Sequence, residues 1–252
     1  MMGEMIIQRE SLVAIADAIR EATGETKLYT LDEMYEKLCP EFIYMLTQDD
    51  YYPNSISIPN GTIKIRDYMF DEYGLSYIST NRLTSVSFPT GLKNIGAYAF
   101  RNCSGLTSIS LPEGLTDING YAFNGCTGLT EVVFPTSLVN IDNSAFSQCT
   151  GLTSISLPEG LTSIRLSAFS GCTGLTEVVF PMSLASIEIS AFYGCTGLTQ
   201  IIFKGVPNTI DSLAFYNCSG VTINVPWSEG EVAGAPWGIS NATINYNYAE
   251  GA

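Results

Sequence analysis

A 23-residue step in the positions of several residue types constrains this chain more than any other feature. Six of its seven cysteines follow that step, and six phenylalanines, each directly preceded by alanine, follow it in the same phase. The cysteines are Cys103, Cys126, Cys149, Cys172, Cys195 and Cys218, and the phenylalanines are Phe100, Phe123, Phe146, Phe169, Phe192 and Phe215. Several residue types that repeat in one phase indicate a stack of equivalent structural units.

The repeat continues upstream in a less regular form, and a longer period of 46 residues is superimposed on the 23-residue step. Five of the six units have a proline 11 residues before their phenylalanine, Lys204 takes its place in the last, and Pro59 and Phe70 show the same separation. Residues 71–88 then hold about seven residues more than a regular unit. Residues 104–149 and 150–195 agree at 33 of 46 positions, which indicates a recent duplication of a coil pair. The chain thus contains about seven coils, the first of them irregular.

The unit at residues 152–172 illustrates the local structure that the repeat predicts. Apolar Ile155 and Leu157 flank a polar serine, as in a half-buried strand, and a proline then ends that strand. A second short apolar segment ends at Ile164, and we expect a tight helical turn from Ala168. One such coil buries about seven apolar side chains, too few to offset the ordering of its backbone, so the coils must stack. The sequence therefore predicts a solenoid of about seven 23-residue coils, built from short strands and short helical turns.

The repeated pattern resembles the BspA-like leucine-rich repeat, also called the Treponema pallidum type. The resemblance covers roughly residues 54–226. In one unit the matching residues are Ala122, Phe123, Cys126, Leu129, Val132, Phe134, Pro135, Leu138 and Ile141. The resemblance implies a curved leucine-rich-repeat solenoid with a sheet on one face, often found on bacterial surfaces and binding molecules of a host or a neighbouring cell. It implies no set of catalytic residues.

The sequences at the two ends of the chain do not follow the repeat, and each of them predicts a further structural segment. Helical spacing of apolar residues and a capping box at Thr30 predict a helical hairpin over residues 1–40, either a cap or an attachment module. Part of this segment is similar to N-terminal segments of structural or tail proteins of prophages in Gram-positive bacteria. The solenoid is assigned to residues 41–226. Residues 227–252 are predicted to form a C-terminal β cap, in which we expect Trp227 and Trp237 to pack.

Composition and charge narrow the classes of function. The net charge is −14, so nucleic acid and anionic membranes are poor partners, and the longest apolar runs are too short for membrane insertion. The chain has no histidine, and it has no glycine-rich phosphate-binding motif. We therefore expect no cofactor, no metal and no enzymatic activity. Glu113 and Glu159 recur at equivalent positions in like environments, unlike the paired acid and base groups of a hydrolase.

The six phased cysteines are expected to form one reduced column in the core. Neighbouring coils would bring them within disulfide distance, but their parallel side chains do not give the dihedral angle that a disulfide needs. No CxxC pair of the kind used in thiolate metal sites occurs. Cys39 stands outside the column.

Candidate binding residues lie where the coils face outward or differ from one another. Outward strand positions form two columns, and the three residues before each Ala–Phe pair vary most between the coils. The candidates are Thr107, Ser110, Thr130, Val133, Thr153, Ser156, Thr176 and Val179 on the strands, and Tyr98, Tyr121, Arg165 and Glu188 before the Ala–Phe pairs. Thr84, Thr199, Thr222, Ser87, Ile202 and Asn224 continue the strand columns, and Asp71, Glu72 and Tyr73 form a further candidate surface.

Two functional hypotheses remain open at this point. The first is a non-enzymatic protein- or glycan-binding scaffold, with a bacterial surface location that the family resemblance implies. The second is a prophage tail or other structural component that uses the coils as a rigid spacer or receptor-binding stack. The N-terminus lacks the pattern of a secretory signal, which leaves virion-associated and cytoplasmic locations open.

Overall fold

A computed structural model describes residues 55–58, 60–71 and 82–249 of the 252-residue chain. The predicted N-terminal helical hairpin, Cys39, Glu72 and Tyr73 lie outside the described residues.

The described residues form a parallel β-solenoid in which a longer strand alternates with a two-residue strand. The strands are β1 (Ser55–Ser57), β2 (Lys64–Ile65), β3 (Ser85–Ser87), β4 (Asn94–Ile95), β5 (Ser108–Ser110), β6 (Asp117–Ile118), β7 (Glu131–Val133), β8 (Asn140–Ile141), β9 (Ser154–Ser156), β10 (Ser163–Ile164), β11 (Glu177–Phe180), β12 (Ser186–Ile187), β13 (Gln200–Phe203), β14 (Thr209–Ile210), β15 (Thr222–Asn224) and β16 (Thr243–Asn245). This confirms the predicted solenoid of about seven coils.

The strands form two long parallel sheets on different faces of the stack. One seven-stranded sheet runs from β5 through β7, β9, β11, β13 and β15 to β16, and β1 pairs with β3 in a short sheet at the N-terminal end of the same face. The other seven-stranded sheet contains all the two-residue strands from β2 to β14. The second sheet was predicted only as a short apolar segment. Its strands are too short to show the alternation by which strands are recognised.

The core consists of columns of identical side chains. Phe100, Phe123 and Phe146 have no exposed surface, and neighbouring rings along this column are stacked with centroids 5.1–5.5 Å apart as far as Phe215. The column begins at Phe70, which stacks on Phe100 at 4.9 Å. Each ring between the two ends of the column therefore buries both faces against equivalent rings of the coils before and after it.

The cysteine column is buried and reduced. All six phased cysteines are free and at most 1% exposed. The Sγ of each lies 3.2–3.5 Å from a phenylalanine carbonyl oxygen of the preceding coil, as Cys149 does with Phe123, so the thiol acts as a hydrogen-bond donor. Burial raises the pKa of Cys103 to about 12 and that of Cys218 to about 11. These thiols are core groups rather than nucleophiles or ligands.

The helical turns predicted at the Ala–Phe pairs are wrong, because these segments are non-helical turns in the described residues. The residue before the alanine has positive φ in five of the six Ala–Phe coils, as Ser167 does at 56°, and Tyr68 has it before Met69. The residue before the cysteine also has positive φ, as Gly171 does at 74°. Only three residues lie between these two left-handed positions, so a right-handed helix cannot form there.

The C-terminal segment closes the stack. β16 pairs in parallel with β15, and Trp227 and Trp237 are 4% and 1% exposed. Both indole rings pack against Phe203, with centroids 5.1 and 5.7 Å from its ring, and Nε1 of Trp237 donates to the carbonyl of Ala233 at 3.0 Å. The two tryptophans therefore cover the end of the core.

Candidate functional site

One sheet consists of β5, β7, β9, β11, β13, β15 and β16, and we call its outward side the strand face. Its strands are paired in register, so that Ser108 stands beside Glu131 and Ser110 beside Val133. In β5, β7 and β9 the first and third residues are exposed and the middle residue is buried. Coils stack at about 4.8 Å, so equivalent side chains form columns along the face.

The predicted threonine column lies at the edge of this face and is held to the backbone. Thr107, Thr130, Thr153 and Thr176 are all exposed. The hydroxyl of Thr130 donates to the carbonyl of Thr107 at 2.9 Å, and those of Thr153 and Thr176 make the equivalent bonds at 3.4 and 3.2 Å. The hydroxyl protons are thus used to link coils, and the γ-methyl groups and the oxygen lone pairs remain for a ligand.

The second predicted column is exposed only over part of its length. Ser110, Val133 and Ser156 are exposed, Val133 by 50%, and Val179 is half-buried. Further along, Ile202 and Asn224 stand in register with Val179 but are buried, so the column is not exposed at that end. The closing strand explains this difference, because Asn245 of β16 donates its side-chain amide to Asn224 at 2.8 Å and continues the sheet beyond it.

Sequence reasoning missed the first residue of each strand as a surface position. Ser108, Glu131, Ser154 and Glu177 are exposed and form a third column, in which serine and glutamate alternate. In the sequence each of them is directly followed by an isoleucine or a valine, which is buried within the strand. That apolar neighbour is the signal by which they could have been found. Glu131 and Glu177 are the only charged residues within strands β5 to β16 of this face, which is therefore nearly neutral and slightly acidic.

A second surface, the turn ridge, consists of the three residues before each Ala–Phe pair, or before Met69–Phe70 in the first coil, and the residue after it. Of the twelve large apolar side chains that are well exposed in the described residues, seven lie on this ridge. They are Tyr68, Tyr121, Leu166, Ile189, Tyr193, Leu213 and Tyr216. The ridge therefore carries most of the large apolar side chains that are exposed in the described residues.

The tyrosines at the N-terminal end of the ridge stack on one another. The ring of Tyr98 lies between those of Tyr68 and Tyr121, with both centroid distances 4.7 Å and interplanar angles of 4° and 2°. The guanidinium of Arg101 lies 5.0 Å from the Tyr98 ring centroid. Burial first, and then the neighbouring hydroxyls of Tyr121 and Tyr68, raise the pKa of Tyr98. All three tyrosines have φ near +60°, a backbone conformation that costs about 1 kcal/mol or more for a non-glycine residue.

The charged candidates on the ridge contact their own fold. Nε of Arg165 lies 3.8 Å from Oδ1 of Asp142, in a pair whose side chains are 47% and 39% exposed. The carboxylate of Glu188 accepts a hydrogen bond from the backbone N–H of Leu166 at 3.1 Å. The side chains of Arg165 and Glu188 thus belong to adjacent coils of one ridge but not to one pocket.

Asp71 is not a surface residue, contrary to the sequence prediction. Its side chain is fully buried and accepts two hydrogen bonds of 2.9 Å from Arg101, from Nε and from Nη2. Burying this carboxylate is possible because the guanidinium neutralises it and satisfies both of its oxygens. The pair joins the first coil to the second where the irregular segment begins.

The carboxylates that recur at the turns after the strands have structural partners. Glu113 accepts hydrogen bonds from the backbone N–H and the hydroxyl of Thr136, at 3.3 and 2.9 Å. Glu159 accepts one from the backbone N–H of Met182 at 3.1 Å. In the described residues there is no group of three or more potential metal ligands, and no described helix is long and apolar enough to cross a bilayer.

A comparison with protein families identifies the repeat. The model of the BspA type leucine rich repeat region matches this chain in six copies, over residues 75–187 and 162–232. Together the two matches cover more than half of the chain. No curated protein matches the chain significantly.

Several solved structures of bacterial proteins are similar to this chain. A protein from Eubacterium ventriosum is 22% identical, with a TM-score of 0.63 over 75% of this chain and 48% of that one. The pneumococcal vaccine antigen PcpA is 20% identical, with a TM-score of 0.52 over 64% of this chain and 40% of that one. A protein from Bacteroides ovatus is 27% identical, with a TM-score of 0.49 over 75% and 55%. The chain spans about half the length of these structures.

Proposed function

The chain belongs to the BspA-type leucine-rich repeat family, and on that premise we propose that it is a non-enzymatic scaffold that binds a protein or a glycan. We propose further that it does so at a bacterial surface and through the strand face. The observation that carries the proposal is the exposed, in-register and nearly neutral array of small side chains on that face. Flat arrays of this kind suit a partner that makes many weak contacts across several coils.

The chemistry of the strand face indicates what it would bind. Serine hydroxyls supply hydrogen bonds, Val133 supplies apolar contact, and the carboxylates of Glu131 and Glu177 stand two coils apart, about 10 Å along the face. The threonine hydroxyls hold neighbouring coils together and keep the array rigid, so little side-chain entropy is lost on binding. A neutral or basic partner fits this surface better than an anionic one.

A non-catalytic role is supported by the family and by the chemistry of the described residues. Proteins of this repeat type are typically non-enzymatic scaffolds and often belong to surface proteins. The described cysteines are buried, and the turn carboxylates are bound to backbone N–H groups. One structural neighbour is described as a vaccine antigen, which supports a surface location for this chain as well.

The test compares two single substitutions on different faces of the full chain. Val133→Asp adds a charge to the strand face, and Val139→Asp adds the same charge beside the other sheet, where Val139 is 39% exposed. The wild-type chain would first be screened against a glycan array and a panel of surface and matrix proteins. We expect Val133→Asp to weaken binding to the hit at least tenfold and Val139→Asp to change it less than twofold.

The opposite results would contradict the proposal. Equal losses in both variants, or retention of binding in Val133→Asp, would exclude the strand face. Location is tested separately with an antiserum to residues 82–249, applied to intact source cells and to particles released after DNA damage. A signal confined to the particles would contradict the surface location and favour the tail-component hypothesis.

A further inference from the structure

The turn ridge carries two neighbouring columns of residues that run along the whole stack. The proximal column holds the residue directly before each Ala–Phe pair, or before Met69 in the first coil: Tyr68, Tyr98, Tyr121, Ser144, Ser167, Ser190 and Leu213. The distal column holds the residue before that: Asp67, Ala97, Gly120, Asn143, Leu166, Ile189 and Ser212. Proximal N–H groups donate to distal carbonyls of the next coil, as Tyr121 does to Asn143 at 2.9 Å, so the columns are in register.

Large and small side chains are distributed unequally between the two halves of these columns. In the first three coils the proximal residues are tyrosines, and the distal residues beside them are small or short. In the fifth and sixth coils the arrangement reverses, because Leu166 and Ile189 are distal and exposed by 40% and 41%, beside proximal serines. The fourth coil, with Asn143 and Ser144, has no large side chain in either column.

A two-fold rotation would place the large side chains of one copy of the ridge opposite the small side chains of a second copy. A two-fold axis across the fourth coil would bring two copies ridge to ridge and antiparallel, pairing the third coil of one copy with the fifth coil of the other. The ring of Tyr121 would then face Ser167 of the second copy, and Leu166 of the second copy would face Gly120. In the same way Tyr98 would face a serine, and Ile189 would face Ala97. In the second, third, fifth and sixth coils every large side chain thus meets a small one, as close packing requires, whereas at the two ends Tyr68 would meet Leu213 in an apolar contact.

Charges and rings at the ends of the ridge follow the same symmetry. Arg66 of the first coil would face Asp211 of the seventh coil of the second copy. Arg101 would face the exposed ring of Tyr193, which offers a second cation–π contact. Asp142 would face its own equivalent across the axis, an unfavourable pair that the nearby guanidinium of Arg165 weakens. We propose that the turn ridge is a dimerisation surface for a second copy of this chain, packed antiparallel about the fourth coil.

The size of the ridge indicates a weak, reversible dimer. Seven coils give a length of about 30 Å, and four residues across give a width of about 13 Å. Two such strips, with their protruding side chains, bury roughly 1,000 Å² in total, at the lower limit for specific interfaces. We expect a dissociation constant of about 10–100 μM. Because each copy carries a net charge of −14, screening by salt should strengthen the dimer.

The dimer leaves the strand faces of both copies free. Two copies would then present two such faces, and a partner with repeated binding sites would be held with higher avidity than by one copy. The proposal does not depend on the function of the strand face, and its experiment needs no ligand.

Single cysteines introduced on the ridge test the symmetry directly. In a Cys39→Ser background of the full chain, Asn143→Cys places a thiol on the exposed distal column at the two-fold axis. Ser212→Cys is the matched control in the same exposed column, and its two copies would be about 29 Å apart along the ridge. The six buried native thiols stay protected. We expect a disulfide-linked dimer from Asn143→Cys under mild oxidation and none from Ser212→Cys. Any other pattern overturns the antiparallel arrangement.

Sedimentation velocity tests the association itself. From about 5 to about 500 μM, the wild-type chain should shift from monomer to dimer. Leu166→Asp should raise the dissociation constant at least tenfold, and Val133→Asp, the same kind of change on the strand face, should leave it unchanged. A wild-type chain that stays monomeric over this range, or a dimer that Leu166→Asp does not weaken, overturns the proposal. Circular dichroism would verify that each variant is folded.

Discussion

The phenylalanine column should be the main source of stability of this solenoid, and Phe146→Ala tests that reasoning. The ring of Phe146 has no exposed surface and contacts three other rings. It stacks on Phe123 at 5.2 Å and on Phe169 at 5.5 Å, and the ring of Phe134 meets it edge-on at 5.5 Å. Its removal therefore damages the interfaces of its coil with both neighbouring coils.

The expected loss follows from the buried ring and the gap that it leaves. Removing a benzyl group withdraws about 100 Å² of buried apolar surface, or about 2.5 kcal/mol. A rigid stack of coils cannot collapse into the gap, and three ring contacts are lost in addition. We therefore expect Phe146→Ala to lower the free energy of unfolding by about 4–5 kcal/mol, in the upper part of the range for such changes.

Urea unfolding followed by circular dichroism and by tryptophan fluorescence measures this loss. The matched control is Tyr121→Ser, which removes a ring that is 37% exposed and installs the residue that the next coil has at this position. The control loses one stacking contact and should cost about 1 kcal/mol. A loss below about 2 kcal/mol for Phe146→Ala, or similar losses in both variants, would refute the reasoning.

Four further outcomes follow from individual residues and their contacts. At pH 8 no more than one of the seven cysteines should react with Ellman's reagent in the native chain, and all seven in denaturant. Burial raises the pKa of the thiols, that of Cys218 from 9.0 to about 11, so the folded state favours the protonated form. The stability that results is complete below pH 9 and is lost as the pH rises towards 11. Unfolding titrations at a series of pH values should show this decrease. Arg101→Met should cost about 3–5 kcal/mol, since it removes the guanidinium that binds both oxygens of the buried Asp71 carboxylate, and adding Asp71→Leu should restore a large part of that in a double-mutant cycle. Gly96→Ala should lower the melting temperature by several degrees, because its Cβ would lie 2.6 Å from backbone atoms of the preceding coil, whereas Gly91→Ala, with open space around it, should not.

The core could be predicted from the sequence because the same side chain must recur wherever equivalent positions stack. Phe146 and Cys149 each need a like residue 23 positions away on either side, so the period itself reports their burial. The strand face was predicted in part for the same reason, since Ser156 lies between the buried residues Ile155 and Leu157.

Features that depend on a particular partner could not be predicted in this way. Asp71 is buried by a guanidinium 30 residues further on, and no local pattern indicates that pair. The left-handed turns are occupied by tyrosine, serine and glutamine as well as glycine, as at Tyr121 and Gln148, so the usual glycine signal is absent. The burial of Asn224 depends on a strand that follows the last repeat.

The 46-residue period has a structural cause, because neighbouring coils are complementary and not identical. Phe134 and Phe180 lie edge-on against the phenylalanine column of their own coils, whereas the coil between them has Leu157 at that position. The link between coils is also directional, since Glu113 accepts hydrogen bonds from Thr136 of the next coil. Its counterpart Glu159 accepts one from the next coil in the same way. Two rings can follow one another at this position, as Phe180 and Phe203 do at 4.7 Å, but duplicating a single coil would place two acidic turns in succession and remove the hydrogen bonds that Glu113 and Glu159 accept. Duplicating a pair preserves these turn contacts, so the pair is the unit by which this solenoid can lengthen without losing them.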